Sequence, residues 1–523
     1  WRNNAMTLQI IDQVHIDTNS AISLLTEPGL LVRTENYRQH FFYHVEYNSK
    51  LVQSETLFFC KGAAFKEDYL NEAIDRGATA YVAEQSYQNG ATALIVTNIQ
   101  RAMALLSNAF YGFPSNDLFA IGITGTKGKT STAYFAATAL NLGTDDRTAL
   151  ISTLNTSLGK GDVFKSKLTT PESLDLFRYL RQAVDNGMTH LVMEVSSQSY
   201  LLDRVYSLHF GIGVFLNISS DHVGQNEHPD FANYLFCKEQ LLLNSSVCVL
   251  NTQMDHFEEV YQAAKVSTAP DKIYLFGEAG SHPDLDLAYQ IQSTGLAGSN
   301  FQLTGVSDRG SALMLDGEYQ SSVAGDYNVG NATAAAICAA IGGVKKKTIQ
   351  EAFGQVHIAG RMEVIRTQEH GTVYVDYAHD YASVKRLLAF LKGQQHQGEP
   401  SQITVVLGAP GNKGVSRRPD LGKALAEERV NRVILTTDDP AFEDPQAIAA
   451  EIDAHIDHDR VGQVEYVADR REAIETAIQA ARAGDLVVLA GKGTDQYQKV
   501  AGVDTPYPGD IAVARQVVAH LEG

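Results

Sequence analysis

Residues 118–140 read LFAIGITGTKGKTSTAYFAATAL: an apolar run, a glycine-punctuated turn with two lysines, and an alanine-rich stretch of good helix formers. A buried strand that ends in glycine and opens a helix is the repeating unit of a parallel α/β sheet. The turn itself, Gly125-Thr126-Lys127-Gly128-Lys129-Thr130, is suited to phosphate. Backbone N–H groups at a helix N-terminus cradle the oxyanions, Lys129 reaches the β and γ phosphates, and Thr130 offers a hydroxyl to Mg²⁺. The common phosphate-loop spacing starts with a glycine two positions upstream of Gly125, where this chain has Ile123. A glycine-rich turn with an incidental lysine is the plainer alternative; the strand before and the helix after favour a nucleotide site.

The strand–turn–helix pattern recurs outward from this stretch. THLVMEVSS (189–197) is an apolar run closing on Glu194, and after Gly360 come TVYVDYAH, ITVVLGAPG, RVILTTDDP and DLVVLAGKG. Each is a β-branched run ending in Gly, Asp or Pro, where a parallel strand meets a functional loop. Upstream, 56–60 reads as a strand and 69–76 as a helix, and Phe113-Pro114-Ser115-Asn116 reads as a linker. The expected organisation is three α/β domains: 1–114, a central 115–356, and a Rossmann-like 357–523. The lead-in WRNNA before Met6 is read as an expression remnant and set aside.

With 523 residues the chain is too long for a single core. Its formal charge of −19 argues against a polyanion such as nucleic acid as partner. No apolar run approaches the roughly 18 residues that cross a bilayer, and no signal-peptide order is present, so a cytoplasmic location is expected. Cys60, Cys237, Cys248 and Cys338 are scattered among apolar neighbours and read as reduced core thiols.

GITGTKGKTST resembles the phosphate-loop variant of the Mur ligases and folylpolyglutamate synthetases, which join a carboxylate to an amine through an acyl phosphate. Further motifs follow in that family's order over nearly the whole chain. The resemblance implies ATP on Gly125, Thr126, Lys127, Gly128, Lys129, Thr130 and Ser131, with Mg²⁺ held by Thr130, Glu194 and His222 of FLNISSDH. Lys238, in DFANYLFCKEQLLL, reads on its own as a surface lysine snorkelling from a helix. The resemblance makes it a CO₂-derived carbamate facing the metal, and casts Lys129, Glu194, His222 and Lys238 as the catalytic set. In GDYNVGNATAAAICA it implies Asn328 and Asn331 near the adenine; an asparagine before an alanine run is also a helix cap. It puts Arg361 of IAGRMEV and Asp376 of VDYAHD on the nucleotide, so that closure of the third domain would complete the site.

KLTTPESLDLF resembles the TTP motif of the branch that extends a muramoyl dipeptide. It implies Thr169 and Thr170 on the peptide carboxylate, where the plain alternative is a helix start with Pro171 in its first turn. Ser196 and Arg204 of EVSSQSYLLDRV match substrate positions, although Gln198 and Leu202 stand where the family often has histidine and glutamine. Ser49 and the turn 61–66 match the UDP-binding segment. The implied partner is UDP-MurNAc-L-Ala-D-Glu, bound by a monomer.

For the added amino acid the implied residues are Lys413, Asp438, Asp439, Ala441, Gly491 and Asp495. Ligases for meso-diaminopimelate carry an arginine after Asp-Asn-Pro to clamp the distal carboxylate; here Asp438-Asp439-Pro440 is followed by Ala441. Three aspartates and no arginine suit a distal ammonium, so L-lysine is expected ahead of L-ornithine or diaminopimelate. The rivals are a folylpolyglutamate synthetase, against which the first domain and TTPES count, a sister muramyl ligase adding D-Glu or D-Ala-D-Ala, and a noncatalytic nucleotide-binding regulator.

Overall fold

The computed structural model describes residues 16–62, 64–219, 224, 227–295, 298–393 and 401–522. The chain divides into two compact units. One comprises Trp1–Ser293, Asn300–Ser322 and Asp326–Val356; the other comprises Thr294–Ser299, Val323–Gly325 and His357–Gly523.

The first unit holds two large sheets with separate cores, besides the short antiparallel pair Ile16–Asp17 and Phe41–Phe42. In the N-terminal sheet the strands lie in the order Leu31–Glu35, Thr92–Val96, Ala78–Ala83, Thr56–Phe59, His44–Glu46, antiparallel at the first pair and parallel thereafter. Leu57, Phe59, Val82 and Leu94 pack one face against the helices Thr18–Thr26 and Ile99–Phe110. Phe58, Tyr81, Ala93 and Ile95 pack the other against the helix Glu67–Asp75. Burial on both faces is why these strands are apolar at consecutive positions instead of alternating. The segment read as a linker forms the short 3₁₀ turn Pro114–Asn116, entered through Phe113 at φ 56°.

The central sheet aligns Thr148–Ile151, His190–Glu194, Phe119–Thr124, Phe210–Phe215, Ser245–Asn251 and Ile273–Glu278 in parallel. Register sets the chemistry: Glu194 pairs with Ile123, and Phe215 pairs with Thr124. Three strands therefore deliver their carboxyl ends to the turn that follows Thr124, the edge where open α/β sheets bind ligands. The helix Lys129–Gly143 leaves that turn and packs along the helix Tyr327–Ile341.

The second unit is a doubly wound sheet in the order Glu363–Arg366, Thr372–Asp376, Leu486–Ala490, Ile403–Leu407, Arg432–Leu435, Gln463–Tyr466, parallel except at the first pair. The four apolar runs read from the sequence are its adjacent inner strands. Val405, Leu435 and Val488 face one core, and Val406, Ile434 and Leu489 the opposite one. All four cysteines are buried and unbonded, as their apolar settings predicted. Burial raises each thiol pKa, Cys248 to about 11 and Cys338 to about 12. Among the described residues no helix is long and apolar enough to cross a membrane.

Candidate active site

The phosphate loop occupies the turn between the strand Phe119–Thr124 and the helix Lys129–Gly143. Gly128 caps the helix at φ 86°, ψ −11°, and a Cβ there would lie 2.5 Å from Asn331 Oδ1. Only glycine accepts both that dihedral and that approach. The loop is also held from outside. Asn217 accepts from Lys127 N–H at 2.9 Å, donates to the Lys127 carbonyl at 3.0 Å, and its own carbonyl takes Thr126 N–H. Thr126 Oγ1 accepts from Ser219 N–H and meets Tyr234 Oη at 3.1 Å. Lys129 Nζ folds over the loop, donating to the carbonyls of Gly125 (2.9 Å) and Thr126 (3.3 Å).

Glu194, 1% exposed, stands beside this loop. It accepts from Thr130 Oγ1 at 2.9 Å, from Thr153 N–H at 2.7 Å and from Thr153 Oγ1 at 3.0 Å. A hydroxyl and a carboxylate meeting at the phosphate end of a helix are hard oxygen donors of the kind Mg²⁺ takes, and that ion commonly fills its shell with phosphates and water. His222 and Asp221 lie outside the described residues, within which no cluster of three or more His, Cys, Asp or Glu forms. Lys238 is not the surface lysine its helix suggested. It is 2% exposed on the helix Phe231–Leu243, its Nζ donating to the Gly125 carbonyl at 2.9 Å and lying 4.9 Å from the Tyr234 ring centroid. Asn328 and Asn331 are buried and bonded to each other at 3.0 Å. The helix cap there is Asp326, not Asn328.

From Glu194 a polar path runs to the TTP segment. Thr153 Oγ1 meets Thr169 Oγ1 at 3.1 Å, and Thr170 Oγ1 donates to the Glu194 carbonyl and accepts from Ser196 N–H, both at 3.0 Å. Arg204 donates to the Thr170 carbonyl at 3.4 Å and pairs with Glu172 at 2.9 Å. The helix begins at Ser173, so Pro171 precedes it instead of filling its first turn. Thr169, Thr170, Ser196 and Arg204 are thus gathered within one patch. Ser49 has its hydroxyl on Glu72 at 2.6 Å, inside the N-terminal sheet's own packing.

In the second unit the strand ends Asp376, Leu407, Leu435 and Ala490 share one edge. Burial pushes the Asp376 carboxyl above the aspartate range, opposed by Arg361 and by the N–H groups of Met362 and Ala378. The Arg361 guanidinium lies 5.4 Å from the Tyr377 ring, and its Nε is buried with no hydrogen-bond acceptor. His379 Nδ1 sits 2.7 Å from the Tyr377 carbonyl, an acceptor, and so carries a proton.

Asp438 and Asp439 turn toward Lys492, which is 1% exposed: its Nζ is 3.4 Å from Asp438 and bonds Asp439 directly. Burial raises the Asp438 pKa, with Lys492 and then Arg470 pulling it back. Gly491 keeps φ 101° beside Asp438, and Asp495 Oδ1 takes the Tyr377 hydroxyl at 3.5 Å. Ala441 holds φ 52°, its N–H on the Lys499 carbonyl, and Lys413 is exposed on the adjacent loop.

The profile of the "Mur ligase middle domain" matches residues 123–339, and that of the "Mur ligase, glutamate ligase domain" matches 360–493. The chain is 54% identical over 514 residues to the UDP-N-acetylmuramyl-tripeptide synthetase of Ligilactobacillus salivarius, covering 97% of this chain and 100% of that one. The chain belongs to the Mur ligases. A further relative, at 45% identity over 476 residues and 91% of each chain, is the UDP-N-acetylmuramoyl-L-alanyl-D-glutamate–L-lysine ligase of Enterococcus faecalis. Among solved structures, a UDP-N-acetylmuramoyl-L-alanyl-D-glutamate–2,6-diaminopimelate ligase superposes with TM-score 0.63 at 26% identity, over 92% of this chain and 96% of that one. The fold is accordingly the Mur ligase fold.

Sequence reasoning missed several residues that shape this Mur ligase. Asn217 sits in FLNISSDH, five residues before His222, and its amide matches both main-chain groups of Lys127. Thr153 has no motif at all. His228, fully buried, joins Ser197 Oγ and Asn233 Oδ1 at 2.8 Å each. Lys492, three residues before Asp495 in GKGTDQY, has no partner within its own motif, and its pairing with Asp438 and Asp439 emerges only in the fold. Arg470 and Asp510 form a fully buried pair, the arginine also donating to the Ala490 carbonyl at 2.9 Å and so holding the start of the Gly491 loop.

Proposed function

We propose that this Mur ligase joins L-lysine to the D-Glu γ-carboxylate of UDP-MurNAc-L-Ala-D-Glu, consuming ATP, as a cytoplasmic monomer. The phosphate loop binds the triphosphate, with Lys129 leaving its loop carbonyls for the β/γ oxygens as the nucleotide enters. Asn328 and Asn331 border the loop from the helix Tyr327–Ile341, and Arg361 and Asp376 are the residues that the family resemblance assigns to the nucleotide in the second unit. Thr130 and Glu194, with His222, hold Mg²⁺, which when bound neutralises charge building on the phosphoryl group. Thr169, Thr170, Ser196 and Arg204 orient the dipeptide so that its γ-carboxylate attacks the γ-phosphorus in line, breaking the bond to the β-phosphate oxygen and releasing ADP. The resulting acyl phosphate is then taken by the neutral α-amine of lysine, and phosphate leaves. Lys238, held as a cation by the Gly125 carbonyl and the Tyr234 ring, would become an anion on taking up CO₂ and losing a proton, and its carbamate would then help to hold Mg²⁺.

Ala441 carries the assignment of the amino acid. Where a diaminopimelate clamp would need a guanidinium there is a methyl group, beside Asp438, Asp439 and Asp495. Lys492, which pairs with Asp438 and Asp439, and Lys413 offset two of these three negative charges, and the remaining net charge of −1 suits a distal ammonium and is hostile to a distal carboxylate. An unpaired desolvated charge costs several kcal/mol, so discrimination of roughly a thousandfold is expected. The test is kcat/KM for L-lysine, L-ornithine and meso-diaminopimelate with UDP-MurNAc-L-Ala-D-Glu as acceptor. Diaminopimelate ranking first would refute the reading of the pocket while leaving the ligase intact.

A further inference from the structure

Glu172 follows the TTP segment at the N-cap of the helix Ser173–Asp185, with φ −59° and ψ 148°. An N-cap side chain ordinarily bonds the helix's own N–H groups; that of Glu172 makes no such bond. It reaches outward and bridges two cations of the first unit, one beside the N-terminal sheet and one in the turn after the helix Ser197–Leu201. Lys61, just beyond the strand Thr56–Phe59, lies 2.5 Å from Oε2, and Arg204 lies 2.9 Å from Oε1. All three side chains are largely shielded, at 18%, 11% and 21% exposure for Lys61, Arg204 and Glu172. A neighbouring pair repeats the link: Tyr47 donates to Asp175 at 2.8 Å, and Lys61 Nζ sits 4.6 Å from the Tyr47 ring. Arg204 Nε is buried with no acceptor, a donor left over after Glu172 and Thr170 are served.

We infer that Glu172 is a positioning residue that locks Lys61 and Arg204 together, aiming one surplus positive charge at the substrate's carboxylate. This rests on the substrate reading above. Two cations against one glutamate leave a net charge of +1, which matches the single α-carboxylate of a dipeptide whose γ-carboxylate reacts elsewhere. Fixing both long side chains beforehand removes rotamer entropy that binding would otherwise have to supply. The lock also ties the N-terminal sheet, proposed to hold the uridine diphosphate, to the patch that holds the peptide.

The experiment is steady-state kinetics on the full-length enzyme with UDP-MurNAc-L-Ala-D-Glu varied at saturating ATP and lysine, for wild type, Glu172→Gln, Glu172→Asp, Lys61→Met and the Glu172→Gln/Lys61→Met double variant. Glu172→Gln should raise KM for the UDP-linked substrate tenfold or more, with kcat and KM for ATP within about twofold. Glu172→Asp should recover part of that loss, and the double variant should be no worse than Glu172→Gln. An unchanged KM, or equal rises in KM for both substrates with a lowered Tm, would overturn the inference and leave Glu172 a structural end to its helix. If Glu172→Gln does not fold, the KM shift of Glu172→Asp decides by the same criteria. A wild type inert toward the UDP-linked dipeptide refutes the substrate reading and this inference together, whereas an active wild type with an unaffected Glu172→Gln refutes the inference alone.

Discussion

Replacing Gly128 by alanine tests whether the loop's shape, apart from its charges, carries nucleotide binding. The new Cβ meets two obstacles. A φ of 86° lies where side chains with a Cβ are strained, about 1–2 kcal/mol. The methyl also falls 2.5 Å from Asn331 Oδ1, and Asn331 is buried and bonded to Asn328, so yielding breaks a hydrogen bond worth about 0.5–1.5 kcal/mol. Together these give about 2–3 kcal/mol against the phosphate-ready conformation, or roughly 30- to 150-fold in kcat/KM for ATP. Phosphate release measured against ATP concentration reads this directly, and titration with a nonhydrolysable ATP analogue separates binding from turnover. Adding Asn331→Ala removes the collision and leaves the backbone strain, so Gly128→Ala should cost only about five- to thirtyfold in that background. A Gly128→Ala enzyme within twofold of wild type, or strictly additive losses in the pair, would refute the reasoning.

Lys129→Ala should abolish phosphate release with the Tm little changed; near-wild-type turnover would remove Lys129 from the phosphates. Lys238→Ala should be almost inactive and partly rescued by acetate or formate, and full activity without rescue would count against its carbamate. Glu239, half-buried with Oε1 lacking a partner, has its pKa raised to about 7 by burial and then by Glu259. Its folded pKa exceeds the unfolded value of 4.5, so the folded state holds the proton more tightly and stability falls as pH rises from about 4.5 to 7. Glu239→Gln should therefore stabilise the fold by about 1 kcal/mol at pH 8 after solvent screening, seen as a raised Tm, and do little at pH 5; equal Tm shifts at both pH values would contradict the linkage.

The sheets were legible because their strands are buried on both faces. LFAIGIT, ITVVL and DLVVLA advertise themselves as apolar β-branched runs, and glycines mark where they stop. The phosphate loop was legible for the same reason, as a turn whose backbone must approach an anion. What escaped were residues whose role arises only from pairing across long sequence distances. Nothing around Thr153 forecasts that it meets Glu194, and Lys238 reads as exposed because helical periodicity cannot know that a strand end lies above it. Lys492 changes the electrostatics of Asp438 and Asp439 from more than fifty positions away. Charges counted along a chain overstate the field of a pocket when a buried partner is absent from the motif.

The sealed cysteines have a practical consequence. A thiol reacts as its thiolate, and all four here are buried with raised pKa, so alkylating dyes and maleimides at neutral pH should pass them by. A single cysteine introduced at an open position such as Val266, 78% exposed, would then be the one labelled site, with every native cysteine kept. Paired with a second introduced cysteine at Phe442, 77% exposed in the other unit, it would give a fluorescence ruler between the two units, read as ATP and the muramoyl peptide are added in turn.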